Sequence, residues 1–197
     1  MYVRPVLTSL LAIPLLLAAD ANAPPPGWKE YRPKDRSFSV WLPEKSGRLT
    51  ERERTVPVRG MSIKIRLVQL EVRGKLTYEA ASLLLPAQLM PKLSQKEKLE
   101  FMRDIFLSEV RGKVYDETEI KRGQAIGKEY VVQVSRSIAR LHVFAVGRRL
   151  YRASVLGSKS RVTSKDADIF LDSYQLVGKA ADGADDKGRT KAVTSDK

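Results

Sequence analysis

The stretch from Val155 to Leu176, VLGSKSRVTSKDADIFLDSYQL, sets an apolar run, a Gly157-Ser158-Lys159-Ser160 loop and a helix-like segment in the order of a phosphate-binding loop. Such a loop needs backbone donors at a helix N-terminus left free for the anion. Here Ser164 is placed to cap the helix itself, and Asp166 and Asp168 fill its first turn with negative charge that would repel a phosphate. The Gly-x-x-x-x-Gly-Lys-Ser/Thr spacing is also missing. The stretch therefore predicts a strand, a basic turn and a self-capped helix, with Lys159 and Arg161 left as surface cations.

Other chemistry is sparse. His142 is the sole histidine and there is no cysteine, so multi-histidine metal sites and the common transition-metal sets are excluded, and no metal or cofactor is expected. The sequence holds no Gly-x-Ser-x-Gly elbow and no Ser-x-x-Lys pair that would activate a serine. His142 stands in an apolar run, where a packed histidine is the rule; a catalytic one would need a carboxylate beside it. Asp116, Glu117 and Glu119 read as a solvated strand edge, and Asp166, Asp168 and Asp172 as helix-start carboxylates, so neither group is taken as a paired-acid site.

Charge geometry gives the better candidates. Arg48, Arg52 and Arg54 share one strand parity and Lys64 and Arg66 share one on the following strand, so in the right register they would form a single basic face. Arg148, Arg149 and Arg152 cluster at a turn and, with Lys159 and Arg161, complete the candidate anion-contact surface. Against this stands a plainer role, since exposed strands carry Lys and Arg to prevent edge pairing. A candidate partner surface of apolar character is Leu83, Leu84 and Leu85 with Leu89 and Met90; exposed, it would mark an interaction site, and buried, which is favoured, it is the underside of the fold.

These residues need elements to hold them. Alternation predicts strands over Phe38 to Pro43, Arg48 to Val58 and Met61 to Arg73, the last two joined as a hairpin at Arg59-Gly60. In the third strand the apolar parity changes from Met61, Ile63, Ile65 and Leu67 to Val68, Leu70 and Val72, and a bulge near Leu67 is the expected cause. Thr77 to Leu93, with Pro86 and Pro91, predicts a short helix and an irregular crossing. Ser94 and Glu97 form a capping box ahead of a helix whose stripe is Leu99, Met102, Ile105, Phe106 and Val110, ended at Gly112. Four strands follow, Val114 to Ile120, Glu129 to Ser135, Ile138 to Val146 and Leu150 to Leu156, the third apolar on both faces and hence central. A last helix docks through Ala167, Phe170, Leu171 and Tyr174.

The order of elements predicts an α+β fold: a predominantly antiparallel sheet of about six or seven strands with helices packed on it. Residues 28–178 form a single sandwich domain, preceded by a Pro-rich leader at 24–27 and followed by a disordered tail at 179–197. Residues 1–23 read as a secretory signal: Arg4 is followed by an apolar stretch from Pro5 to Ala19, then by Ala21-Asn22-Ala23, a small-x-small cleavage pattern. The apolar run is shorter than the roughly 20 residues a membrane span requires, so no transmembrane span is expected after cleavage. Export, to the periplasm, the envelope or the medium, follows. The formal net charge of +13 favours anionic partners, and export places acidic lipid, lipopolysaccharide or other envelope polyanions ahead of nucleic acid.

The segments Phe38-Ser39-Val40-Trp41-Leu42-Pro43 and Gly127-Lys128-Glu129-Tyr130, with Leu150-Tyr151-Arg152 and Phe170-Leu171-Asp172-Ser173-Tyr174, give the chain its family likeness. It resembles the PsbP-like α/β/α sandwich domains of exported bacterial proteins. The resemblance implies that fold and a tendency: members are mostly non-enzymatic binding or assembly factors, and the photosynthetic ones dock on a membrane complex. It implies no set of functional residues. The expected function is thus a non-enzymatic binding or assembly module of the cell envelope, whose partner is an envelope protein or an anionic envelope component. A basic-surface polyanion binder is the alternative, and an enzyme with an unrecognised site a remote one.

Overall fold

Alternating side chains build most of the structure, a computed structural model that describes residues 23–44, 47–58, 60–72 and 76–176. The signal at 1–23, apart from its last residue, and the tail at 179–197 lie outside the described residues, as does Arg59 of the expected hairpin turn. Strand β1 is Trp28–Tyr31, β2 Phe38–Pro43, β3 Arg48–Val58, β4 Met61–Val72 and β5 Leu76–Leu84. A 3-10 helix, Ala87–Lys92, leads to α1, Gln95–Val110, and then come β6 Lys113–Arg122, β7 Ala125–Val134, β8 Ser137–Val146 and β9 Arg149–Gly157. The chain closes with α2 Lys159–Val162, α3 Lys165–Ser173 and β10 Gln175–Leu176. A seven-stranded antiparallel sheet runs β3-β4-β5-β9-β8-β7-β6, and a three-stranded one runs β1-β2-β10.

The large sheet is covered on both faces. On one, α1 lies across β7, β8 and β9 while the 3-10 helix, through Leu89, helps cover the end of β4 and β5; Ile63, Ile65, Leu83, Leu99, Met102, Phe106, Leu141 and Val143 form this core. On the other, β2, α2 and α3 bury Phe38, Val40, Tyr78, Tyr151, Phe170, Leu171 and Tyr174. Tyr174 stacks on Phe38 at 5.1 Å and its hydroxyl donates to the Ala81 carbonyl at 2.8 Å, fixing the small sheet and the last helix to the centre of the large one. The capping box is formed: Glu97 N–H donates to Ser94 Oγ at 3.2 Å and Ser94 N–H to Glu97 Oε2 at 2.7 Å. Ser164 caps α3 through the Ala167 N–H, with Asp166 and Asp168 in the first turn.

Two sequence expectations need correction. Thr77 to Leu84 is not helical; it belongs to β5, a central strand between β4 and β9, whose alternation from Leu76 to Ala80 gives way to burial on both faces over Ala80, Ala81, Ser82 and Leu83, so only half of it carries a strand pattern. Nor is there a bulge near Leu67: the register of β3 with β4 runs unbroken from Arg48 against Glu71 to Val58 against Met61. The apolar parity of β4 changes because the covering layer changes. Ile63, Ile65 and Leu67 belong to the core beneath α1 and the 3-10 helix, whereas Val68 and Leu70 face the core built by β2 and α3. The register shift in the large sheet falls instead in β6, between Val114 and Asp116, and leaves the Tyr115 side chain 84% exposed.

Candidate functional site: a charged cleft beside α1

Beyond the C-terminal end of α1 the sheet face is concave. The cleft measures about 690 Å³; Arg52 and Arg54 of β3, Gln69 of β4, Thr77 and Glu79 of β5 and Ser154 of β9 line its floor, and Phe106 and Glu109 of α1 form its wall. Period two places them: alternate residues of four antiparallel strands meet on one face.

Beneath the floor lies Arg152, which has no solvent exposure. Its guanidinium pairs with Glu79 and with Glu109 Oε2 at 3.1 Å, and stands over the Phe106 ring at 4.9 Å. Glu109 in turn pairs with Arg54. A buried guanidinium without such partners would cost several kcal/mol, on the order of the desolvation of an isolated ion. Burial, and then the cation of Arg152, pull the Arg54 guanidinium below its ordinary value, with Glu79 acting the other way. The Nε groups of Arg54 and Arg152 are buried without a hydrogen-bond partner among the described residues. Arg52 sits exposed at the rim, with no ion pair among the described residues. Glu53, although at the edge of the cleft, belongs to the opposite face, where Lys64 holds it at 2.7 Å and Arg66 at 3.3 Å. The guanidiniums of Arg52, Arg54 and Arg152 thus outnumber the carboxylates of Glu79 and Glu109, among neutral donors from Gln69, Thr77 and Ser154. Excess positive charge, with Arg52 exposed at the rim, suits an anionic group.

The expected single basic face does not form. In the observed register Arg54 opposes Ile65 and Arg52 opposes Leu67, so Lys64 and Arg66 fall opposite Thr55 and Glu53 and point to the other side of the sheet. Arg66 also pairs with Asp35 at 2.5 Å. Arg48 shares the face of Arg52 and Arg54, beside Glu71. Arg148 donates from Nε to the Leu85 carbonyl at 3.0 Å, Arg149 is half-buried at the start of β9, and Lys159 and Arg161 are exposed on α2 at the opposite face. Arg152 is no surface residue at all. As for the apolar crossing, Leu83, Leu85 and Leu89 are buried, Met90 packs half-buried against the same core, and Leu84 alone is partly open at 37%. The crossing is therefore core, not a continuous partner surface.

His142 does have a carboxylate beside it: Glu129, directly opposite on β7, lies 3.2 Å from its Nε2. Arg140 joins the pair, donating to Glu129 at 2.8 Å, to Asp168 at 2.7 Å and to the Val162 carbonyl at 3.0 Å. The hydrogen bond from His142, followed by that from Arg140, draws the Glu129 carboxyl down to about 2 against the effect of burial. This cluster fastens α2 and α3 to the sheet. A second concavity, of about 710 Å³ between α3 and the turn after β6, contains Arg122, but that guanidinium is engaged with the Leu171 and Tyr174 carbonyls and stacked at 5.3 Å over Phe144.

The residues missed from sequence are Glu79 and Glu109. Glu79 was hidden in an unrecognised strand; Glu109 carried a signal, because a carboxylate in the last turn of a helix opposes the dipole and calls for a nearby cation. Arg152, a charge inside the apolar run Leu150 to Leu156, carried the complementary one.

No family model and no curated protein matches the chain. Among solved structures, the solution structure of cyanobacterial PsbP (CyanoP) from Synechocystis sp. PCC 6803 aligns over 82% of this chain and 99% of its own, with a TM-score of 0.50 and 11% identity. The fold is PsbP-like. A crystal structure from Bacteroides thetaiotaomicron VPI-5482 covers 78% of this chain and 50% of its own with a TM-score of 0.39 and 10% identity, too distant to bear on the matter. At such identities the PsbP-like likeness carries the architecture alone, and the cleft must be read from this chain's own residues. No helix among the described residues is long and apolar enough to cross a membrane.

Proposed function

We propose that the chain is an exported, non-enzymatic binding or assembly module of the bacterial cell envelope, with the α1-side cleft as its contact site. The leader supports export: Arg4, the apolar stretch from Pro5 to Ala19 and Ala21-Asn22-Ala23 make a cleavable signal, leaving one domain over 28–178 and a tail over 179–197. The PsbP-like resemblance supports a binding or assembly role. The observation that carries the reading is the cleft itself, where strand and helix side chains converge around an incompletely satisfied set of guanidiniums. Those charges are arranged for recognition: Arg152, Glu79 and Glu109 are fixed by one another and by packing. A polyanion-binding surface stands second, because the basic residues of β3 and β4 divide between opposite faces and Lys64 and Arg66 are paired with acids.

Two measurements test this. Mass spectrometry of the chain expressed with its leader should find an N-terminus at Pro24, and an intact leader in the envelope fraction would contradict export with cleavage. Tagged full chain, incubated with envelope extract, should recover one reproducible and saturable partner. Recovery of none across several detergents and salt levels would reject the module.

A further inference from the structure

β3 is the outer strand of the large sheet, and its far edge pairs with no other strand among the described residues. It is 11 residues long, and Arg48, Thr50, Arg52 and Arg54 alternate along its cleft-side face. Arg48 and Arg52 are exposed, while Arg54 lines the cleft half-buried, its guanidinium already paired with Glu109. At roughly 3.3 Å per residue the row from Arg48 to Arg54 extends about 20 Å. That is too long for one small anion and suited to an extended chain. Resting on the reading of the cleft as a contact site, we propose that the open edge of β3 receives an extended acidic segment of a partner protein, paired as an added strand, with alternate carboxylates on Arg48, Arg52 and Arg54.

Several features select this occupant. A strand added at an edge gains main-chain hydrogen bonds whatever its sequence, and its alternate side chains supply specificity. A second copy of β3 paired antiparallel, about a two-fold axis normal to the sheet, would set arginines among arginines on one face and Glu51 and Glu53 among glutamates on the other, so the edge is guarded against that pairing. The charges that exclude a second copy favour a strand that is acidic on the cleft side. On the opposite face Leu49, 40% exposed, offers an apolar contact near the same end. Within the cleft, the excess of guanidiniums over carboxylates is relieved by one incoming carboxylate near Arg54.

The test uses the full chain and a fluorescein-labelled peptide of about ten residues in which Glu alternates with Thr, sized to the edge at strand rise. Anisotropy should show saturable binding. Arg48→Gln and Arg52→Gln, both exposed and harmless to packing, should each weaken it about five- to tenfold. Lys64→Gln and Arg66→Gln on the other face should change it less than about twofold. Two further peptides, N-methylated on one or the other set of alternate residues, decide whether the backbone pairs: one should bind and the other fail. Equal losses from both faces, or any other outcome with the methylated pair, overturns the proposal in favour of unspecific charge attraction. An envelope partner still captured by the Arg48→Gln/Arg52→Gln chain would keep the module and sink this site. Peptide binding with no envelope partner would do the reverse.

Discussion

A guanidinium without solvent exposure is tolerated on β9 because Glu79 and Glu109 close around it and Phe106 lies beneath its plane. Arg152→Met therefore removes more than an ion pair, since it strands those carboxylates beside Arg54 alone. Urea unfolding at neutral pH should register a loss of about 3–5 kcal/mol, and adding Glu79→Gln and Glu109→Gln should return part of it. A loss no larger than that of an exposed pair would show that the network is solvated. Glu129 gives a pH-dependent counterpart. Its folded value, about 2, lies below that of an unfolded glutamate, roughly 4.3. Its stabilisation is therefore complete above that unfolded value and is lost as pH falls through the folded one. Glu129→Gln, which also leaves Arg140 and His142 short of an acceptor, should cost about 1–3 kcal/mol at pH 7. The gap from the parent should narrow towards pH 2; an unchanged gap across that window would assign the effect to packing.

At the scale of elements, the parts legible in the sequence were those whose pattern is local. Ser94 with Glu97, and Ser164 with Asp166 and Asp168, announced α1 and α3 within a few residues, and the strands β6 to β9 were marked by runs that alternate or, in β8, are apolar on both faces. What was hidden depends on the third dimension. β5 alternates only over its first half, because layers cover both faces of the second, and the parity change in β4 records which layer lies over which end. The candidate site divides the same way: Arg52 and Arg54 were visible as a basic strand, whereas Glu79 and Glu109 join them only when β5 and α1 are brought together. β7 and β8 show how tight that assembly is. Gly127 opposes Phe144, and a Cβ added there would collide with the Phe144 ring and the Val143 carbonyl. Gly127→Ala should thus lower stability by about 1–3 kcal/mol by thermal or urea unfolding, although alanine is the better strand residue. A neutral substitution would mean that β7 can shift away from β8 without penalty.

For the whole molecule, the question is whether the +13 charge acts as a field or as a site. The layers spread it: Arg48, Arg52 and Arg54 lie on one side of the large sheet, Lys64 and Arg66 on the other, and Lys159 and Arg161 on α2. Many cations are also held by acids, Lys128 by Glu117 at 2.7 Å and Arg140 by Glu129 at 2.8 Å among them. Such a distribution attracts any polyanion weakly from many directions, and the attraction fades once the screening length shrinks to about 8 Å at physiological ionic strength. Vesicles of phosphatidylglycerol mixed with phosphatidylcholine should accordingly retain the chain at low salt and release it as salt rises. Arg52→Gln and Lys64→Gln should lower that retention by similar, small amounts, although they lie on opposite faces. If Arg52→Gln alone abolished it, the charge would be acting through β3 even on a lipid surface. If both changes were small while the acidic peptide still told the faces apart, field and site would be separate properties of one molecule: the first due to net charge, the second to the register that sets Arg52 opposite Leu67.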